Sequence, residues 1–202
     1  MFRWVALAVF LASLSISTHR RWRARRAGGA IPRRQEPSGL IAGRILVAVP
    51  LFAGVVAYVA NPHWMAWSSL SVPSWVPWIG VALGILVVPS LYWVLSTLGA
   101  NVSETVFTKQ QHQLVTTGPY RWVRHPLYTS GITLFVSMGL MAANWFILLW
   151  AVVALIAVRL VVIPREEAQL VATFGDAYRR YRSGTGSLLP LLPNLRVRRR
   201  AG

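Results

Sequence analysis

Gly118-Pro119-Tyr120-Arg121-Trp122-Val123-Arg124-His125-Pro126-Leu127-Tyr128-Thr129-Ser130-Gly131 is a polar, turn-rich stretch set between long apolar runs. A second polar island, Pro164-Arg165-Glu166-Glu167, follows the last of those runs. The chain has only five acidic residues, and two of them stand side by side at that point. Carboxylates at the edge of an apolar helix are costly to desolvate, so such a pair points to binding or chemistry.

Working outward, the composition is that of an integral membrane protein: 55% hydrophobic, 13% charged, ten Trp in 202 residues and a mean hydropathy of +0.50. The net charge of +16 comes from Arg clusters that flank apolar runs. That is the pattern of cytoplasmic segments and not of a duplex-binding face, so no nucleic-acid partner is expected. The absence of Cys removes thiolate metal sites and Cys nucleophiles, and four scattered His do not suggest a metal centre.

Five apolar runs are read as spans, at about 2–17, 40–60, 78–98, 127–142 and 145–163. The first is taken as a retained anchor, because its Arg cluster follows the run and no small-residue cleavage site precedes that cluster. Residues 18–38 carry seven Arg against one Glu and read as a flexible basic loop lying on anionic headgroups. Arg44 is close enough to the end of its run to snorkel, and Pro89 kinks the third run. Trp64, Trp67, Trp75 and Trp78 mark an interface. The last two runs are separated by little more than Ala143-Asn144, which predicts a tight helical hairpin. Loop charges orient the chain with its amino end outside and its carboxyl end in the cytoplasm. The expected fold is an all-α polytopic membrane protein of about five spans, with a cytoplasmic carboxy-terminal amphipathic helix.

That amphipathic helix is read at 164–182, starting at Pro164, with Glu167, Leu170, Phe174 and Tyr178 on one face and Gly175 as a weak point. The chain divides in this reading into an amino-terminal membrane part, 1–98, and a second part, 99–202. The second part contains a polar segment at 114–131, the hairpin at 127–163, the amphipathic helix and a basic tail, Arg196 to Arg200. Asn101-Val102-Ser103 matches a glycosylation acceptor but falls on the cytoplasmic side, and His19, His63 and His112 read as loop residues without a role.

Simple readings compete at each site. Arg121 and Arg124 are ordinary flanking charges for a span, Glu166 and Glu167 suit a helix amino terminus, and Tyr178 and Tyr181 suit interfacial packing. The combination argues for more: two guanidiniums that match a carboxylate or phosphate, a His and two Tyr, close to an acidic pair.

The ordered set resembles the isoprenylcysteine carboxyl methyltransferase and phospholipid methyltransferase group of membrane enzymes. It comprises Gly118 and Tyr120, then Arg124-His125-Pro126 with Tyr128, then Glu166-Glu167, then Phe174-Gly175 with Tyr178 and Tyr181, over about 114–190. Ser130 stands where members often have Gly, with Gly131 next. The resemblance implies an S-adenosylmethionine-dependent methyltransferase acting on a lipophilic or membrane-partitioned acceptor, such as an isoprenylcysteine-like carboxylate, a phospholipid amine or a small thiol. It implies a cofactor site formed by Gly118, Tyr120, Arg121, Arg124, His125, Pro126, Tyr128, Glu166, Glu167 and Tyr178, with Glu167 and Arg124 as the catalytic residues. Two other classes share some of these features. One is a membrane reductase using a nicotinamide cofactor; the other is a non-enzymatic scaffold that holds anionic lipid through its basic segments.

Overall fold

The computed structural model of the protein describes residues 1–28, 38–99 and 114–191. The sequon-like Asn101 to Ser103, His112, the Arg196 to Arg200 tail and residues 29–37 of the basic segment lie outside them. The described residues form the helices α1 (Phe2–Gly28), α2 (Ser38–Ala60), α3 (Val76–Leu98), α4 (Pro126–Met141), α5 (Trp145–Ala157), α6 (Ile163–Phe174) and α7 (Asp176–Gly184), with short connections between them. No strand occurs among them beyond two isolated bridges.

Four helical stretches are long and apolar enough to cross a membrane: Phe2–Arg26, Ser38–Ala60, Val76–Leu98 and Trp145–Phe174. The fourth of the apolar runs is α4, a shorter apolar helix whose 16 residues extend about 24 Å at 1.5 Å per residue, against about 30 Å for the hydrocarbon core. The outer surface of the bundle is apolar, with Leu46 69%, Leu86 65% and Leu160 67% exposed. Water does not favour a surface of that kind, and a multi-pass membrane protein presents it to lipid.

Small residues set the packing. α4 runs antiparallel to α3 so closely that a Cβ on Gly80 would lie 2.6 Å from the Met141 N and 2.7 Å from the Ser137 O. Further along, the hydroxyls of Ser90 and Ser130 are 3.2 Å apart. Close approach at Gly and Ser is how helices associate without a hydrophobic drive. α1 lies beside α3 in the same direction: Phe2 meets Trp78 edge-on at 5.4 Å, Val9 faces Gly84, and the Arg20 guanidinium sits 4.4 Å above the Tyr92 ring.

The hairpin falls at Ala143-Asn144, where Ala143 takes φ 44. Asn144 is buried and fully used. Its Oδ1 accepts from the Ile147 N–H to cap α5, and its Nδ2 donates to the Met65 O at 3.2 Å and the Ser68 Oγ at 2.7 Å. This one side chain ties the hairpin to the 3₁₀ turn Pro62–Ser68 that follows α2.

Three expectations are corrected. Residues 18–28 are not loop: α1 continues through the Arg cluster to Gly28, as Arg is a good helix former. No new helix begins at Pro164. α5 passes without a break through a π-helical turn, Val158–Val162, into α6, and the wider turn relieves the clash that proline makes with the carbonyl four residues back. The amphipathic helix expected at 164–182 is two helices, because Gly175 turns the chain at φ 54.

Candidate functional site

All the signature elements meet at the end of the bundle opposite the hairpin. Pro126 occupies the first turn of α4, and the residue before a proline is pushed out of the helical region. His125 accordingly takes φ −123 and ψ 55, which holds its ring at the mouth of the helix. On the other side, the α5–α6 rod carries Glu166 and Glu167 past that ring.

Glu167 is the hub. Its Oε1 accepts from the Arg124 Nε at 2.9 Å, lies 2.8 Å from the Arg124 Nη2 and lies 3.2 Å from the His125 Nε2; its Oε2 lies 3.2 Å from the Arg182 Nε. Arg124 is equally committed, since its Nη1 donates to the Arg182 carbonyl at 3.1 Å and to the Thr185 carbonyl. Four of its five N–H groups are thereby used. The other imidazole nitrogen, Nδ1, is 3.6 Å from the Glu166 Oε2, so the ring stands between the two carboxylates, with Tyr128 5.9 Å away by ring centroids.

The carboxy-terminal segment fastens this cluster. Val123 and Gly186 form a parallel bridge. The Arg124 and His125 amides donate to the Gly186 and Ser187 carbonyls at 2.8 and 3.0 Å, and the Thr129 hydroxyl donates to the Leu188 carbonyl at 2.7 Å. Gly186 is buried at that crossing, where an added Cβ would lie 1.8 Å from the Leu189 O. The Tyr181 hydroxyl donates to the Tyr120 carbonyl at 2.6 Å, closing the side formed by α7.

The structure therefore brings together Tyr120, Arg124, His125, Pro126, Tyr128, Glu166, Glu167 and Tyr178. It places two expected site residues elsewhere. Arg121 is exposed, its guanidinium 4.3 Å over the Trp122 ring. Gly118, at φ +57, abuts Thr97 at the end of α3, where a Cβ would meet the Thr97 Oγ1 at 2.8 Å. Sequence reasoning missed Arg182, Thr185, Gly186 and Ser187. Their signal was the small-residue run Ser183-Gly184-Thr185-Gly186-Ser187, which marks a tight backbone path.

Three buried polar atoms in or beside the cluster have no hydrogen-bond partner: the Glu166 Oε2, the Tyr178 hydroxyl and the Ser187 Oγ. Burial pushes the Tyr178 and Tyr181 hydroxyls up from the ordinary tyrosine range, so both remain protonated donors. Buried polar groups left unpaired are uncommon and call for a ligand or a water. Among the described residues no group of His, Asp and Glu is arranged to hold a metal ion.

Residues 74–177 match the phospholipid methyltransferase family. The chain is 35% identical over 97 residues to the protein-S-isoprenylcysteine O-methyltransferase of Schizosaccharomyces pombe, covering 47% of this chain and 41% of that protein. It is 41% identical over 71 residues to a methanethiol S-methyltransferase of Mycobacterium tuberculosis, covering 35% of this chain and 28% of that one. The aligned region thus spans less than half the length of either relative. The structure of a eukaryotic intramembrane isoprenylcysteine carboxyl methyltransferase superposes with a TM-score of 0.53 at 19% identity, over 93% of this chain and 68% of that one, and shares its fold. With a family match over slightly more than half of the 202 residues, covering α3 to α6 and both polar islands, this chain belongs to the phospholipid methyltransferase family.

Proposed function

We propose that the protein is an integral membrane methyltransferase that uses S-adenosylmethionine to methylate a lipophilic or membrane-partitioned acceptor. The observation that carries this reading is the convergence of both polar islands on one cluster with unpaired buried atoms: the Glu166 Oε2, the Tyr178 hydroxyl and the Ser187 Oγ. The residues fit the cofactor's polar parts. Glu166 is an acceptor suited to an ammonium or ribose hydroxyls, and Tyr178 and Ser187 are donors suited to the carboxylate. When bound, S-adenosylmethionine supplies an electrophilic methyl group on a sulfonium.

This chain's residues divide the remaining work. Glu167 and Arg124, expected nearest the chemistry, use most of their hydrogen-bonding capacity on each other, on His125 and on the carboxy-terminal segment. We assign them positioning roles, with Glu167 orienting the imidazole. Glu166 remains to meet the ligand and, for an amine or thiol acceptor, to take its proton. Methyl transfer removes the sulfonium charge, so a site shielded by α4, α6 and the segment at 184–191 favours it by excluding water. The basic flanks of the apolar runs support a cytoplasmic location for the site.

Irradiation of detergent-purified protein with methyl-labelled S-adenosylmethionine should attach label that unlabelled cofactor competes away. Glu166→Gln should reduce the label at least about tenfold, the value of a charge-assisted hydrogen bond. Label that the cofactor does not displace, or that Glu166→Gln leaves unchanged, would remove this cluster from the binding site.

A further inference from the structure

The lipid-facing surface carries two belts of interfacial residues, and the distance between them is short. Exposed Trp4, Trp67, Trp78 and Trp145 ring the hairpin end. At the site end, exposed Tyr92 and Trp93 on α3, Trp122 in the segment before α4 and Arg159 on the α5–α6 rod form a second ring. Tryptophan, tyrosine and arginine gather at the headgroup level, where one part of the side chain is apolar and the other wet. Contacts between helices hold each belt level. At the hairpin end Phe2 meets Trp78 at 5.4 Å and Trp67 meets Trp145 at 5.5 Å. At the site end Trp93 meets Trp122 at 5.7 Å, and the Arg20 guanidinium on α1 reaches the same plane over Tyr92.

Helix geometry gives the separation. At 1.5 Å per residue, Trp4 to Arg20 on α1 spans about 24 Å, Trp78 to Trp93 on α3 about 22 Å, and Trp145 to Arg159 about 21 Å. α4, between Pro126 and the hairpin, is about as long as the α1 stretch. Tilt shortens these lengths further along the bilayer normal. Each falls below the about 30 Å of an ordinary hydrocarbon core. Snorkelling extends a flexible side chain, but it does not lengthen this band. Arg20 is held on the Tyr92 ring and Arg121 on the Trp122 ring, and the indoles of Trp93 and Trp122 pack edge to face. Arg159 is exposed between Ile156 and Leu160, which are exposed as well, so a thicker core would draw its charge into hydrocarbon. The charged cluster of His125 and Glu167 at the mouth of α4 would be drawn in with it.

We propose that this surface selects phospholipids of short acyl chain, fitting a bilayer whose hydrocarbon layer is about 21–24 Å thick, and that it thins a thicker bilayer around itself. A span shorter than the core either draws the bilayer in or leaves its polar ends in hydrocarbon, at a modest cost per ångström. Here α1, α3, α4 and the α5–α6 rod share one short length, so the whole perimeter makes the same demand. In a layer of that thickness α4 crosses completely, and the headgroups reach the level of His125 and Glu166. The belts keep this spacing whatever reaction the cluster performs.

The test places the full-length protein in fluid vesicles of dimyristoleoyl, dioleoyl or dierucoyl phosphatidylcholine, in order of increasing thickness, and follows thermal unfolding by tryptophan fluorescence. The midpoint should be highest in the dimyristoleoyl lipid and lowest in the dierucoyl lipid, with at least about 3 °C between the two. Arg159→Leu removes the exposed charge and should raise the dierucoyl midpoint, whereas Arg159→Lys keeps the charge and should not. Arg23→Gln, at an exposed position beyond the belt, should leave the order of the lipids unchanged. A midpoint that is equal in all three lipids or highest in either longer-chain lipid would overturn the proposal. So would a dierucoyl midpoint that Arg159→Leu does not raise.

Discussion

Arg124→Ala should lower the stability of the protein by about 3–5 kcal/mol, the penalty for removing one partner of a buried ion pair. The Arg124 and Glu167 side chains are 10% and 8% exposed, so solvent screening does little to soften the loss. The truncation removes two contacts to the Glu167 Oε1 and two donors to the carbonyls of Arg182 and Thr185. Glu167 would be left with His125 and the largely exposed Arg182. The segment after α7 should then lose its anchor. We expect a large drop in thermal midpoint in detergent, together with rapid tryptic cleavage at Arg180 and Arg182. Arg124→Lys should recover only part of the stability, because an ammonium cannot hold a carboxylate and two carbonyls in one fork. An unchanged midpoint with unchanged cleavage would show that the Arg124–Glu167 pair does not hold this end together.

Gly186→Ala should detach the same segment by a different route. The added Cβ would lie 1.8 Å from the Leu189 O, 2.9 Å from the Leu189 C and 3.0 Å from the Leu191 N. All three are backbone atoms, so no side chain can yield. The backbone must move, and with it the carbonyls that accept from the Arg124 and His125 amides and from the Thr129 hydroxyl. Losing three such hydrogen bonds amounts to about 3 kcal/mol at roughly 1 kcal/mol each. Gly184→Ala is the matched control, since a Cβ there meets nothing within 4 Å, and it should change stability by less than about 0.5 kcal/mol. Hydrogen exchange reports on the contact directly: the Arg124 and His125 amides should exchange much faster in Gly186→Ala and normally in Gly184→Ala. Equal protection in both variants would mean that the segment does not pair with residues 123–129.

What was legible in the sequence was what short-range physics dictates. Apolar runs at 40–60 and 78–98 gave α2 and α3, Ala143-Asn144 gave the hairpin, and Pro126 after His125 gave the start of α4. The ordered polar residues pointed to the cluster, in which Arg124 and His125, at the readable start of α4, meet Glu166 and Glu167 on α6. What was not legible depends on geometry that no local pattern encodes. The charge rule took Arg20 to Arg26 for loop, although arginine continues a helix readily and these turns lie along α3. Pro164 looked like a helix start, and only the π-helical turn ahead of it lets α5 and α6 run on. Gly186 looked like one more turn glycine; its role comes from the crossing with Val123, far away in the chain.

The most direct measurement of the central claim is calorimetric titration of the detergent-purified protein with S-adenosylmethionine and, separately, with a reduced nicotinamide cofactor, using wild type, Glu166→Gln and Tyr178→Phe. The account predicts saturable binding of S-adenosylmethionine, weakened in both variants, and no binding of the nicotinamide cofactor. Binding of the nicotinamide cofactor, or binding of neither ligand, would contradict it.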